Sequence, residues 1–297
     1  MTMTQRRYEH GRDYEAVGRF LVETYATEGA HVNWVRPRWE YMHFHPLIAE
    51  VDLDTIGVWD ADGRIVAVAH PEHGPGRAYF QVRPGYETLR PEMLAYAERH
   101  LRGLKDGRHV LEILVNDRDT AFQQWASTVG YDRLTQSEPM AYLPVPDPLP
   151  AIRLPEGFHL ISLADDNDLP KLSRLIWRGF DHGEAPPDDR LDERRLMQSA
   201  PNYRKDLNLV VVAPDGTFAS YCGLWYEPVH RLAYVEPVCT DPAYRRRGLA
   251  TAAITEGIRR CAALGAEVAC VGSAKPLYRS LGFDPIYTSF LWRRIWT

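Results

Sequence analysis

The residues best suited to chemistry lie between Tyr234 and Ala250, in the sequence Tyr-Val-Glu-Pro-Val-Cys-Thr-Asp-Pro-Ala-Tyr-Arg-Arg-Arg-Gly-Leu-Ala. The pattern predicts a strand, a tight turn that opens at Asp241-Pro242, and an amphipathic helix that begins after Gly248. The first N–H groups of a helix have no partner within the helix and lie at the positive end of its dipole. Gly248 places no Cβ in the way of a ligand, and three successive arginines add positive charge. This stretch therefore predicts an anion-binding turn that suits phosphate.

A second motif follows the helix. The pattern predicts a strand over residues 267–271, followed by Leu-Tyr-Arg-Ser-Leu-Gly-Phe at 277–283. The turn Arg245-x-x-Gly-x-Ala, together with Tyr278 four residues before Gly282-Phe283, resembles the GNAT acyltransferase superfamily. Members of that family hold the pyrophosphate of acetyl-CoA in such a turn. The turn is neither a Walker loop nor a dinucleotide fingerprint, because it lacks Gly-Lys-Ser/Thr and Gly-x-Gly-x-x-Gly.

The resemblance implies an N-acetyltransferase that uses acetyl-CoA as acyl-donor substrate, needs no metal, and moves the acetyl group by direct attack of an amine. The strand before the turn would carry the pantetheine arm and offer a backbone N–H near Val238 or Cys239 to the thioester oxygen. Tyr278 would protonate the departing thiolate. One departure is that Gly272-Ser-Ala stands where the family often has an asparagine. The expected cofactor-binding residues are Val238, Cys239, Thr240, Arg245, Arg246, Arg247, Gly248, Leu249, Ala250, Thr251 and Ser273.

The base that accepts the amine proton has two candidates. Glu236 is the carboxylate on the strand closest to the expected acceptor, and its alternative role is a rim residue that pairs with an arginine. The other candidate is the C-terminal carboxylate of Thr297, because residues 291–297 are predicted to end the chain as a strand. Pro237 removes one donor from the strand ladder, which favours local divergence from the neighbouring strand.

The acceptor is expected to be the primary amine of a small molecule. Asp181, Glu184, Asp188 and Asp189 lie in a loop where such enzymes wall the acceptor pocket, so they either favour a cationic amine or are solvated. Trp225 and Tyr226 either add an aromatic wall or pack in the core. One rival function is a non-catalytic acyl-CoA-binding sensor or interaction protein. A second alternative is an acyltransferase that uses a different acceptor or transfers a different acyl group.

Composition limits the other function classes. The chain has 297 residues, of which 45% are hydrophobic and 25% charged, and a net charge of −5 with a pI near 6.1. The absence of a basic field argues against nucleic acid as a partner. No apolar run approaches the length of a membrane span, and the N-terminal residues lack the apolar region of a signal peptide. We therefore expect a cytoplasmic protein without a membrane partner, and these features are compatible with a homodimer.

Element order predicts two tandem domains of α/β type with a mixed sheet, each GNAT-like. The stretch Leu-Pro-Val-Pro-Asp-Pro-Leu-Pro at 143–150 reads as a stiff linker, so the predicted domains are residues 1–146 and 151–297. Asp-Gly turns at Asp62 and Asp215 and Gly-aromatic pairs at Gly130 and Gly282 recur at a similar spacing. The first copy is expected to be degenerate, because residues 83–90 replace the anion-binding turn and Ala126 replaces the tyrosine.

Cysteine and histidine give weaker indications. All four cysteines fall in apolar segments of the second half without Cys-x-x-Cys spacing, which predicts buried, reduced thiols. His43 and His45 would face the same way in an extended chain and could bind a metal. No third ligand is suitably spaced, so packed or rim histidines are favoured.

Overall fold

A computed structural model describes residues 2–187 and 190–296 of the chain. The chain divides into two compact units, Met1–Pro139 with Ile286–Thr297, and Met140–Pro285. The division predicted from the linker assigned the last segment to the second half, whereas the structure places it in the first unit. The reason is strand pairing, since the segment from Ser289 to Trp296 lies antiparallel to residues 109–116.

The two halves of the sequence have the same order of helices and strands, except that β5 occurs only in the first half. Those of the first half are β1 Met3–Arg7, α1 His10–Thr24, α2 Arg36–Phe44, β2 Gly57–Ala61, β3 Arg64–His70, β4 Arg77–Val82, α3 Arg90–His100, β5 Gly103–Lys105, β6 Arg108–Asn116, α4 Thr120–Thr128 and β7 Asp132–Pro144. Those of the second half are β8 His159–Ser162, α5 Leu169–Gly179, α6 Leu191–Gln198, β9 Asn208–Val212, β10 Phe218–Glu227, β11 Leu232–Thr240, α7 Leu249–Ala263, β12 Val268–Val271, α8 Pro276–Ser280 and β13 Asp284–Trp296. This recurrence matches the predicted mixed α/β architecture in tandem.

The sheet of the first unit has the strand order β1-β2-β3-β4-β6-β13-β7. Its β2–β3 hairpin turns at Asp62 and Gly63, whose φ angles of 48° and 80° are left-handed, as the Asp-Gly pair predicted. Alternate residues of β3 pack on opposite faces, with Ala67 toward α3 and Val68 toward α1 and α2. Helices therefore cover both faces of this sheet.

The sheet of the second unit has the order β7-β12-β11-β10-β9-β8, in which β7 takes part through residues 141–144. In β9, Leu209 and Val211 pack in the cluster that contains α7, and Val210 and Val212 pack in the cluster that contains α5. The strand is buried on both faces, which explains its unbroken apolar sequence. Both helices are thereby fixed beside the predicted turn.

Two irregularities mark β11. Its parallel pairing with β12 runs from Leu232 opposite Val268 to Tyr234 opposite Cys270 and then stops. Its antiparallel pairing with β10 changes register, since Cys222 faces Val238 but Leu224 faces Val235. Two residues of β11 thus oppose one of β10, which defines a β-bulge. The divergence predicted near Pro237 is present in the structure.

The approach at this bulge leaves room only for glycine. A Cβ on Gly223 would lie 2.8 Å from the backbone oxygen of Glu236 and 3.0 Å from Cδ of Pro237. These are backbone or ring atoms, so they cannot swing away as the end of a flexible side chain could.

No described helix combines the length and the apolar character that crossing a lipid bilayer requires. In the cores of both units, described residues from helices and strands pack into separate apolar clusters on the two sheet faces. The helix α2 was not predicted, and it occupies the aromatic segment that contains His43.

We expect Gly223→Ala to lower the free energy of unfolding by about 1–3 kcal/mol, because the added methyl group forces β10 away from the bulge. Gly272→Ala is the matched control, since no atom lies within 4 Å of its hypothetical Cβ. That control should change stability by about 0.5 kcal/mol or less. Urea denaturation of both variants makes the comparison, and equal stabilities would contradict the close approach.

Candidate functional site

A cleft of about 840 Å³ opens in the second unit where α5 and β11 end and α7 and α8 begin. We call it the α7 cleft. Most of the predicted cofactor-binding residues lie on its wall, as does Tyr278. Its lining residues are Gly179, Phe180, Asp181, Val238, Cys239, Thr240, Tyr244, Arg245, Arg246, Gly248, Leu249, Ala250, Thr251, Lys275, Pro276, Leu277, Tyr278 and Ser280.

The turn before α7 presents unpaired backbone donors to the cleft. Arg246 and Gly248 have left-handed φ angles of 66° and 79°, so two of three successive residues adopt the left-handed backbone conformation. The N–H groups of residues 246–251 have no acceptor within the described part of the chain, and the first helical bond runs from Ala252 to the Gly248 oxygen. Successive N–H groups in such a turn form a concave anion site at the positive end of the helix dipole. Around the hypothetical Cβ of Gly248 the space is open.

A buried ion pair fixes the start of this turn. Asp241 is only 1% exposed, and its carboxylate accepts hydrogen bonds from Arg178 Nε at 2.6 Å and Nη2 at 3.1 Å. The same carboxylate accepts a bond from the backbone N–H of Ala243 at 2.9 Å. Burial alone would raise the pKa of Asp241, but these hydrogen bonds hold it below its usual value. Helix α5 is thereby tied to the turn.

Arg245, whose side chain is 41% exposed, is also bonded to the end of α5. Its guanidinium donates to the backbone oxygens of Gly179 at 3.1 Å and Thr240 at 3.2 Å, and to Asp181 Oδ1 at 2.8 Å. Asp181 and Glu184, which were considered as attractors for a cationic acceptor, pair instead with Arg245 and Arg178. Each carboxylate is thus partly offset by an arginine, although the side chains of Glu184 and Asp181 are 91% and 67% exposed. Asp188 and Asp189 lie outside the described residues.

The diverging edge of β11 supplies further donors. The N–H of Asp241 donates to the Ala219 oxygen at 3.0 Å, so it points toward β10. N–H directions alternate along a strand, so those of Val238 and Thr240 point to the opposite edge, where β12 no longer pairs. Of the two predicted oxyanion donors, the geometry favours Val238 over Cys239.

Tyr278 lies on the short helix α8 and is 8% exposed. Its ring packs edge-on against Phe283, with centroids 5.9 Å apart, and its backbone oxygen accepts the N–H of Phe283 at 3.0 Å. Burial raises the pKa of Tyr278 above its usual range, and the carboxylate of Glu236 adds to the rise. The phenol therefore keeps its proton at neutral pH and can act as a donor in the cleft.

Three predicted residues do not line the α7 cleft. Arg247 lies over the Tyr244 ring at 5.7 Å, and Ser273 Oγ accepts the N–H of Lys275 at 3.3 Å. Glu236 is partly buried, and its backbone oxygen accepts the indole N–H of Trp225 at 3.1 Å. The alternative base, Thr297, lies outside the described residues.

Sequence reasoning missed part of the wall. Gly179 and Phe180 come from the end of α5, and Lys275 immediately precedes α8. The sequence did contain a signal for Lys275, because Pro276 marks the first turn of a helix and so places the preceding lysine at the start of that helix. The α5 residues carried no such signal, since their position depends on the Arg178–Asp241 pair.

Cysteine and histidine side chains do not form a reactive site. All four cysteines are buried and free, and burial raises the pKa of Cys239 to about 12. His43 belongs to α2, where Nδ1 donates to the Trp39 oxygen at 2.8 Å, and His45 Nδ1 accepts the N–H of Leu47. Across residues 2–187 and 190–296, no three His, Cys, Asp or Glu side chains are grouped to hold a metal ion.

The corresponding turn of the first unit is closed by its own chain. The N–H of Gly85 donates to both carboxylate oxygens of Glu87, at 3.1 and 3.0 Å. The N–H groups of Tyr86 and Leu89 donate to backbone oxygens within the same turn. These donors are not available to a phosphate, in contrast to those before α7.

Comparisons with known proteins agree with this geometry. Residues 169–283 match the profile of the Acetyltransferase (GNAT) family. The chain is similar to a GCN5-related N-acetyltransferase from Sphaerobacter thermophilus, with TM-score 0.69, 17% identity and coverage of 99% of this chain and 95% of that one. A tandem GNAT protein from the clavulanic acid biosynthesis pathway gives TM-score 0.68, 17% identity and coverage of 99% and 98%.

A more distant likeness extends to Saccharomyces cerevisiae N-myristoyltransferase, with TM-score 0.57, 11% identity and coverage of 100% of this chain and 80% of that one. The search of curated proteins returned no significant match. At these identities the solved structures establish the shared fold alone.

We expect Asp241→Asn to lower the free energy of unfolding at pH 7 by about 3 kcal/mol, because it leaves the Arg178 guanidinium without its buried partner. The folded-state pKa of Asp241 is lowered, so its contribution is present above the unfolded pKa of about 3.9 and is lost as pH falls through the folded value. The difference from the parent should therefore narrow below about pH 4.

Denaturation at pH 7 and at pH 3 measures this difference. Asp192→Asn is the control, because its ion pair with Arg195 is exposed and should contribute about 0.5 kcal/mol or less. An undiminished loss for Asp241→Asn at pH 3 would show that shape rather than charge carries the effect.

Proposed function

We propose, from the match of residues 169–283 to the GNAT family and from the fold shared with tandem GNAT proteins, that the chain moves an acetyl group from acetyl-CoA to the primary amine of a small molecule. The observation that carries the proposal is the α7 cleft. There, unpaired N–H groups at a helix start and a protonated tyrosine face one space. An anion cradle beside a proton donor suits a phosphate-bearing thioester.

In this proposal, the N–H groups of residues 246–251 bind the pyrophosphate of the donor. The Lys275 ammonium on the same wall adds positive charge for its phosphates. The pantetheine arm follows the free edge of β11, where peptide groups released from β12 can hydrogen-bond its amides. The thioester oxygen then accepts the N–H of Val238, which polarises the carbonyl.

The chemistry is a single acyl transfer. The neutral amine nitrogen attacks the thioester carbon, forming a C–N bond while negative charge develops on the oxygen near Val238. As the C–S bond breaks, the sulfur takes the proton of the Tyr278 hydroxyl, so CoA leaves as a thiol. The amine loses one proton to a base, a proton then returns from the base to the Tyr278 phenolate through water, and the products are an amide and free CoA. Holding both reactants in one cleft supplies much of the acceleration.

Glu236 is the proposed base. It follows Val235 at the bulge, and its charge contributes to the raised pKa of Tyr278, so the two groups interact across the site. Because Glu236 does not line the α7 cleft itself, transfer through a bound water is the proposed route. The first unit, whose turn is closed by Glu87, binds no CoA in this scheme.

Release of free thiol from acetyl-CoA in the presence of amines tests the function. The panel should contain amino acids, polyamines, aminoglycosides and peptide N-termini, and propionyl- and longer acyl-CoA donors should be compared with acetyl-CoA. Turnover with at least one acceptor is the expected result. Saturable CoA binding without turnover across the panel would instead favour a sensor.

We expect Gly248→Asp to abolish CoA binding, because a carboxylate would enter the open space in front of the amides and repel phosphate. Gly216→Asp is the matched control, since Gly216 also has a left-handed φ, of 81°, and open surroundings but lies in the β9–β10 turn. Calorimetric titration should give one CoA per chain for the parent and the control. Two equivalent sites would contradict the closed turn of the first unit.

We expect Tyr278→Phe to lower kcat by about 10²–10⁴-fold with little change in CoA affinity, because only the proton donor is removed. Tyr244→Phe is the control, since Tyr244 lines the same cleft but its hydroxyl donates to Asp215 at 3.3 Å. Steady-state kinetics with a good acceptor measures both. Equal kcat for the two variants would remove Tyr278 from the mechanism.

A further inference from the structure

Helix α6 directs an arginine toward the sheet. Arg194 and Met197 are three residues apart, so they share one face of the helix, and Met197 is buried. The Arg194 side chain is accordingly 14% exposed, and its Nε atom is fully buried without a hydrogen-bond partner. A buried guanidinium donor that the folded chain leaves unpaired costs free energy unless a ligand or water satisfies it.

The charge around this arginine is unbalanced. Within the described residues its ion-pair partner is Glu193, at 3.2 Å, and Glu193 also pairs with Arg190. One carboxylate therefore serves two guanidinium groups. The outward side of the pair is covered, because Arg190 lies over the Trp177 ring at 5.2 Å. Within the described residues, the group of Arg190, Glu193 and Arg194 thus carries one more positive than negative charge.

Aromatic and polar side chains extend from Tyr203, whose raised pKa the charge of Arg194 opposes, to β11. Together with Arg194 we call them the α6 cluster. Tyr203 and Trp225 pack edge-on with centroids 5.7 Å apart, and Tyr221 donates to Asn208. Trp225 donates to the Glu236 oxygen, and Tyr221 stands opposite Cys239 in the ladder. The α6 cluster consists of Arg194, Tyr203, Asn208, Tyr221 and Trp225.

The electrostatic effect of Arg194 reaches both ends of this path. Burial raises the pKa of Tyr203 to about 12, and the positive charge of Arg194 opposes the rise. Burial likewise raises the pKa of Cys239, again opposed by Arg194. Cys239 also belongs to the wall of the α7 cleft.

We infer that Arg194 binds a carboxylate of the acceptor, so that the acceptor is an amino acid or a similar small molecule with both an amine and a carboxylate. This inference rests on the proposed acyl transfer. The planar fork of arginine matches a carboxylate with two parallel hydrogen bonds, which are strongest where water is excluded. Asp181 and Glu184 each pair with an arginine, which partly offsets their attraction for a cationic acceptor.

The experiment compares matched acceptors that differ only in the carboxylate. Lysine and cadaverine, ornithine and putrescine, and phenylalanine and phenethylamine form such pairs, and thiol release gives kcat/KM for each. We expect the carboxylate to raise kcat/KM by about 10- to 100-fold, the contribution of a charge-assisted hydrogen-bond pair. At least one pair should show it.

Variants at positions 194 and 195 test whether Arg194 causes the preference for a carboxylate-bearing acceptor. Arg194→Gln should lower kcat/KM for the amino acid about 10- to 100-fold more than for its decarboxylated partner, and Arg194→Lys should fall between. Arg195→Gln is the control, because Arg195 is 60% exposed and pairs with Asp192. It should keep the parent preference. Unchanged CoA affinity by calorimetry shows that each variant is folded.

The outcomes separate this inference from the proposed function. Equal kcat/KM within every pair, or equal losses for both members in Arg194→Gln, would overturn the carboxylate role while leaving acyl transfer intact. If no amine turns over, the proposed function fails. In that case, titration of the CoA-loaded protein measures its affinity for both members of each acceptor pair. Equal affinities within every pair would overturn the role of Arg194 in binding a carboxylate.

Discussion

The parallel ladder between β11 and β12 ends at Tyr234 and Cys270, and the cleft exists because the two strands separate there. A strand that leaves its neighbour exposes N–H and C=O groups that must be satisfied by something else. Here β11 remains fixed on its other edge by β10, with the Gly223 bulge absorbing the extra residue. The free edge therefore faces the space where a polar, extended ligand can complete the ladder.

The Arg178–Asp241 ion pair fixes the turn that follows the point where β11 leaves β12. Asp241 is bonded both to α5 and to the first N–H of the turn, and Arg245 ties the next residues to the α5 carboxyl end. Donors held before a ligand arrives need no reorganisation when it binds, which is the condition for strong electrostatic stabilisation. The buried pair thus holds the unsatisfied helix start in one geometry.

Local features were predictable from sequence, and features set by distant partners were not. Turn-forming residues and short motif spacings predicted the positions of Gly248, Tyr278 and the Asp62-Gly63 hairpin. The structure places these residues where the patterns indicated. The assignment of β13 to the first unit depends on pairing with β6, far away in sequence, so no local pattern reveals it. Likewise, the pairing of Asp181 with Arg245 and the inward direction of Arg194 follow from how α5 and α6 pack.

The two copies show how little separates a turn with unpaired N–H donors from a turn whose donors are paired within the chain. Both units place a turn with a left-handed glycine before the helix that follows their central hairpin strands, at Gly85 and at Gly248. In the first unit a carboxylate two residues further on, that of Glu87, takes the Gly85 donor, and neighbouring donors close 3₁₀-type bonds. In the second unit the residues after Gly248 are leucine, alanine and threonine, and none bonds back to the turn. A turn stabilised by its own side chain gains independence from ligands and loses the unpaired donors that bind them.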